Sequence, residues 1–205
     1  MFTKLSKMLQ QTLKEATKDK HAILEKLMFV QEIMDNTLSL YQYKQILSTN
    51  YLVHMQFENK LHSLVSEKNA KAFNLEKRKK IEFLKNDLIE LKAGLPDYVA
   101  DNFFVNFESE AAALGALYVL EGATLGGNVI VKKLKTNPNF TAIKLNFYYY
   151  KVYGDKLAAF WLEFSNTLNN QPLHLYSQII EGANNMFDYL IYVQKVIITH
   201  EKPTA

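Results

Sequence analysis

The chain has 205 residues, of which 48% are apolar, enough for one substantial core. Its 24 Lys+Arg against 21 Asp+Glu leave a net charge of +3, too small for a nucleic-acid footprint, and no basic block is interleaved with stacking aromatics. The absence of cysteine excludes disulfides, thiolate metal sites, iron–sulfur clusters and cysteine nucleophiles, so iron or zinc would need histidine and carboxylates.

Residues 1 to 12 alternate Lys and Gln with apolar residues and lack the continuous apolar run of a secretion signal. No later window holds the ~18 uncharged residues of a membrane span. No membrane segment and a cytoplasmic location are therefore expected.

Helical periodicity predicts a first helix near 4–29. Wound at 100° per residue, Lys14, Lys18, His21 and Glu25 fall on one polar stripe roughly 60° wide. Leu5, Leu9, Leu13, Ala16, Ile23, Leu24 and Leu27 form an apolar face beside it, so His21 borders the core. Lys20 breaks the apolar face and is tolerable only if its stem snorkels. By spacing alone, the stripe reads first as a solvated face with i,i+4 charge pairs, and a functional reading needs a second, independent signal.

After a break at Asp35-Asn36, a second helix is expected near 39–67. His54, Glu58 and His62 lie along one of its faces at i, i+4 and i+8. Glu58 is expected to order this helix against a neighbour, with the histidines partly exposed. A di-iron bundle would repeat Glu-x-x-His on separate helices, and no such pair occurs. Asn69 to Asn74 separates this helix from a third, near 75–93, whose opening run Glu76-Lys77-Arg78-Lys79-Lys80 reads as a solvated helix start. Arg78 is the chain's single arginine, so anions elsewhere must be held by lysines or tyrosines.

Beyond Gly94-Leu95-Pro96-Asp97, a fourth helix near 107–135 carries four of the seven glycines within thirteen residues. Ala111, Gly115, Gly122 and Gly126 line up within roughly 60°, a ridge with almost no side chain. Four helical glycines cost on the order of 3–4 kcal/mol relative to alanine. Close approach of another helix, or of a flat ligand with a kink at Gly126-Gly127, would offset that loss. The segment lacks the Gly-Lys-Ser/Thr ending of a phosphate loop.

Thr136 to Asn139 breaks the chain again. The aromatic run Phe147 to Tyr153 then reads as a connector packed beneath a loop, with a place at a ligand's edge as the other option. Helices near 153–168 and 173–198 follow, divided by Asn169 to Pro172; His174 and His200 receive no role. The pattern is all-α, with no repeat, linker or low-complexity stretch, and one domain over 1–205 is expected.

Two of these segments resemble a known family. Leu13-Lys-Glu-Ala-Thr-Lys-Asp-Lys-His21 is similar to the proximal-helix signature of the heme oxygenases. Leu114-Gly-Ala-Leu-Tyr-Val-Leu-Glu-Gly-Ala-Thr-Leu-Gly-Gly127 is similar to the distal-helix signature of the bacterial, biliverdin-producing members. The resemblance implies a heme-oxygenase-like helical bundle with heme as both substrate and cofactor. It implies His21 as axial iron ligand with Glu25 behind it, and Lys14, Lys18 and Tyr118 as partners of the heme propionates. Gly122, Gly126 and Gly127 would form the helix that crosses the distal face. The implied products are biliverdin, CO and ferrous iron, and the implied partner is a ferredoxin- or flavodoxin-type electron donor. The chain departs from many relatives at Leu157, Ala158 and Leu162, where a Thr-Gly pair and an arginine following the tryptophan are usual. A propionate anchor is thereby missing, and a heme-binding or heme-sensing protein with impaired turnover is the alternative. The helical thiamine-degrading enzymes share the architecture but need a cysteine nucleophile that this chain lacks.

Overall fold

The computed structural model describes residues 8–96, 103 and 105–200. The first four residues of the helix expected from position 4, and Asp97 of the third break, lie outside them. The described residues are all-helical: α1 (Leu9–Ala16), α2 (Lys18–Leu27), α3 (Val30–Met34), α4 (Leu40–Leu64), α5 (Glu67–Ala72), α6 (Ile81–Glu90), α7 (Glu110–Gly122), α8 (Gly127–Thr136), α9 (Leu157–Asn169) and α10 (Tyr176–His200).

The expected first helix is divided. At Thr17 the hydroxyl donates back to the Leu13 carbonyl at 2.8 Å, a bond that bends helices, and α2 restarts on the far side. Phe29, at φ 55°, then separates α2 from α3. The expected third helix opens as a 3-10 turn, Leu75–Arg78, before α6. Local capping sets the starts of the two long core helices. Ser39 and Gln42 exchange side-chain-to-backbone bonds of 2.9 and 3.1 Å at α4, and the Ser109 hydroxyl accepts from Ala112 N–H at the start of α7.

The centre of the fold is the crossing of α7 with α10, flanked by α4. It is built on close backbone approach. A Cβ on Gly115 would stand 1.9 Å from the Ile179 carbonyl oxygen, and one on Gly182 2.1 Å from that of Ala112. The surrounding Leu114, Leu120, Ile179 and Met186 are buried, each contributing about 1.5–3 kcal/mol relative to exposure. By length and composition Glu110–Thr136 would also suit a membrane span. Here it is broken between α7 and α8, carries the ionised cluster of Glu121, and buries the apolar residues of α7 against α10 and α4.

Two sequence expectations are overturned in the core. Arg78 is 2% exposed and Lys80 1%, where a solvated run was expected. Arg78 Nη1 donates to Glu121 Oε2 at 2.7 Å, Nη2 to the Phe160 carbonyl at 3.1 Å and Nε to the Phe73 carbonyl at 2.5 Å. Lys80 Nζ donates to Glu121 Oε1, and the Tyr153 hydroxyl reaches the same carboxylate at 2.8 Å. Two cations four or fewer residues from exposed lysines are internal because one carboxylate on α7 binds both, a pairing at a sequence distance of about 40 that periodicity cannot register. His54 is likewise 2% exposed, not partly exposed. Its Nδ1 donates to Glu58 Oε2 at 2.7 Å, and that oxygen also accepts Lys80 N–H at 2.7 Å. Burial lowers the His54 pKa despite the opposing carboxylate, so the ring is neutral.

The aromatic run 147–153 forms turns beneath the surface. Phe147, Tyr149, Tyr150 and Tyr153 are buried, and Asp87 accepts the Tyr148 and Tyr149 N–H groups at 2.7 and 2.8 Å. Lys20 does snorkel: its Nζ reaches Asp188 Oδ2 on α10 at 2.6 Å.

Candidate functional site

A cavity of about 520 Å³ opens between α1–α2 on one side and α7 on the other, with α9 and α10 closing its ends. That is within the range of small-molecule and cofactor sites, roughly 300–1,000 Å³. Five residues singled out from sequence line it together: Lys14, Lys18, His21, Tyr118 and Gly122. The bend at Thr17 is what turns α1 and α2 along one wall, and Thr17 itself lines it.

His21 stands on the α2 wall, with its side chain 57% exposed and Nδ1 3.4 Å from Glu25 Oε2. Its ring lies edge-on to Phe187 of α10, with centroids 5.9 Å apart and planes at 66°. The Nδ1 side thus faces a carboxylate and the ring packs against an aromatic at a steep angle, an arrangement that restricts its orientation. Glu25 touches the site only through His21 and is not part of the lining.

Across the cavity from His21, α7 contributes Tyr118, Val119 and the side-chain-free Gly122. A Cβ on Gly122 would meet nothing within 4 Å. Tyr118, one turn earlier, packs against Trp161 of α9 at 5.8 Å, and burial raises its pKa, so it keeps its proton as a donor. The other glycines of the ridge have different tasks. Gly115 belongs to the α7–α10 crossing; a Cβ on Gly127 would lie 2.3 Å from the Tyr150 carbonyl oxygen; Gly126 has only the Ile130 side chain near it. Gly126 and Gly127 shape the α7–α8 break, and neither lines the cavity.

Among the described lining residues the basic side chains are Lys14, Lys18 and His21, all from α1–α2. Helix α9 contributes Trp161 alone. Leu162 points away, 60% exposed, and Leu157 and Ala158 are not in the wall. Gln10, Phe187 and Leu190 were not anticipated as wall residues. Gln10 falls near the polar stripe of the first helix; the α10 pair carries no such signal.

An all-helical fold with a largely apolar cavity, walled by one imidazole and two ammonium groups on α1–α2 and by Tyr118, Val119 and Gly122 of α7, defines the class of helical proteins with an internal cavity to which this one belongs. The sequence profile of the heme oxygenase family, described simply as heme oxygenase, matches residues 7–195. The chain belongs to that family. Its fold is similar to the NO- and CO-bound heme oxygenase from Neisseria meningitidis, with a TM-score of 0.70 over 98% of this chain and 96% of that one at 20% identity. No curated protein matches it in sequence.

Proposed function

We propose that the cavity binds heme through His21 and that the protein, as one domain over 1–205 working in the cytoplasm, degrades heme with O2 and external electrons to biliverdin, CO and ferrous iron. The observation that carries this reading is the convergence of His21, Lys14, Lys18, Tyr118 and Gly122, from helices some hundred residues apart, on one cavity in a chain of the heme oxygenase family.

The residues fit the group. Heme would bring the iron at which O2 is activated, and is itself the molecule cleaved. His21 would ligate that iron through Nε2, while Glu25 fixes the proton on Nδ1 and Phe187 limits rotation of the ring. Lys14 and Lys18, with the Tyr118 hydroxyl, would hold the two carboxylates. With no cation on α9, both carboxylates would face the α1–α2 side. Gly122 would let the planar ligand approach the α7 backbone. No carboxylic acid, and no imidazole besides His21, is present among the described lining residues, so the described α7 wall would offer the ligand backbone, Tyr118 and apolar groups. A ferredoxin- or flavodoxin-type protein would supply the electrons.

Adding hemin to the purified protein should give a Soret band and quench Trp161, the chain's single tryptophan, which lines the cavity. Reductant and O2 should then convert the Soret band to a biliverdin spectrum. His21→Ala should abolish the imidazole-ligated spectrum and turnover; wild-type spectra and turnover in that variant would overturn the assignment.

A further inference from the structure

Next to the cavity lies a cluster that the proposed chemistry does not use. Glu121, 4% exposed, is the residue before Gly122. Consecutive positions on a helix point about 100° apart, so the last turn of α7 sends one residue into the core and bares the next to the cavity. The core side is fastened from three directions. Arg78 and Lys80 come from the segment between α5 and α6, and Tyr153 from the turn ahead of α9. Arg78 is itself tied to α9 through the Phe160 carbonyl and sits over the Phe160 and Phe164 rings at 5.3 and 5.2 Å. Lys80 Nζ lies over the Tyr153 ring at 5.4 Å.

Stability is a poor reason for such a cluster, because apolar side chains of equal volume often serve as well or better. What two buried cations around one carboxylate do supply is register. The last turn of α7 cannot slide or rotate without leaving a buried charge uncompensated. Burial alone would raise the Glu121 pKa; Lys80 and Arg78 outweigh it and hold the group ionised.

We propose that Glu121 is a positioning residue: clamped by Arg78, Lys80 and Tyr153, it fixes the height of the Gly122 wall above a planar ligand held on His21. This role rests on the heme reading. The test uses the full chain with hemin and two variants, Glu121→Gln and Tyr153→Phe; the second keeps all three charges. Both should bind hemin within about 3-fold of wild type by Trp161 quenching. Both should shift the infrared stretch of CO added to the reduced complex. Turnover should fall on the order of 10-fold or more in Glu121→Gln and less in Tyr153→Phe. If Glu121→Gln does not fold, Tyr153→Phe decides the matter. Unchanged CO stretch and turnover in the folded variants would overturn the positioning role, as would loss of hemin affinity in proportion to lost thermal stability. A wild-type chain that binds no hemin would instead overturn the heme reading on which the role depends.

Discussion

Two glycines of α7, seven residues apart, separate the packing of the bundle from the shape of its cavity. Gly115 meets the backbone of α10: a Cβ there would stand 1.9 Å from the Ile179 carbonyl oxygen and 2.7 Å from the Ala183 nitrogen. Backbone atoms cannot swing aside, so Gly115→Ala should cost at least the upper end of the ~1–3 kcal/mol typical of overpacking. For a chain of this size, about 3 kcal/mol lowers Tm by roughly 6–12 °C. Gly122 faces open space. Gly122→Leu should leave the apo protein unharmed, and its better helix propensity adds up to about 1 kcal/mol, or roughly 2–4 °C. The leucine would project where the ligand lies, so hemin affinity and biliverdin formation should both collapse. Thermal melts of the apo proteins and a hemin titration followed at the Soret band and by Trp161 fluorescence check both halves. A Gly122→Leu variant that binds and turns over hemin like wild type would refute the location of the site. A Gly115→Ala variant that melts with wild type would refute the account of the crossing.

Lys14→Glu combined with Lys18→Glu should weaken hemin binding most at low ionic strength, since each exposed pair is worth ~1 kcal/mol or less; salt-dependent titrations measure this, and unchanged affinity would move the carboxylates elsewhere. Lys20→Asp or Asp188→Lys alone should loosen α2 from α10 and lower Tm by a few degrees, and the exchanged pair should recover most of it; the bridge is about one-third exposed, so the coupling is small, ~0.5 kcal/mol. A swap no better than either single variant would deny the contact its role. Burial lowers the His54 pKa from 6.5, so the neutral ring's contribution is complete above the unfolded value and is lost as pH falls through the folded one. Asp87, raised to about 6 by burial, acts oppositely, its contribution falling as pH rises from about 3.8 to 6. The difference between wild-type and His54→Gln stability curves therefore isolates the histidine, and should shrink steadily below pH 6.5; a pH-independent difference would show that folding leaves the His54 pKa unshifted.

The polar stripe of α1–α2 was legible because helical winding places Lys14, Lys18 and His21 together whatever the fold, and all three do line the cavity. The glycine-rich segment was legible as a place of close approach, but its spacing could not reveal that Gly115 meets a helix, Gly122 open space and Gly127 the Tyr150 carbonyl. Those differences depend on partners more than 20 residues distant. Arg78 was misread for the same reason. A run of lysines around an arginine has the local signature of a solvated turn, and only the carboxylate of Glu121, brought across by folding, makes an interior place for it. The bend at Thr17 was missed because threonine at this position fits helical periodicity and breaks the helix through a local hydroxyl bond.

The cavity is closed by helices far apart in sequence, α1–α2 and α10. Gln10 N–H donates to the Asn169 side chain, Lys20 pairs with Asp188, and Gln194 donates to the Leu27 carbonyl, contacts that join residues 159 to 168 positions apart. During synthesis the imidazole of His21 emerges 166 residues before Phe187, which with Leu190 finishes its surroundings. Over that stretch of elongation the nascent chain carries the imidazole without the α10 side of the cavity. At about 5–20 residues per second, that interval is roughly ten to thirty seconds, long enough for a solvent-exposed imidazole to meet free metal ions before α10 is in place. Final docking of α10 is thus the event that turns an ordinary surface histidine into part of an enclosed pocket.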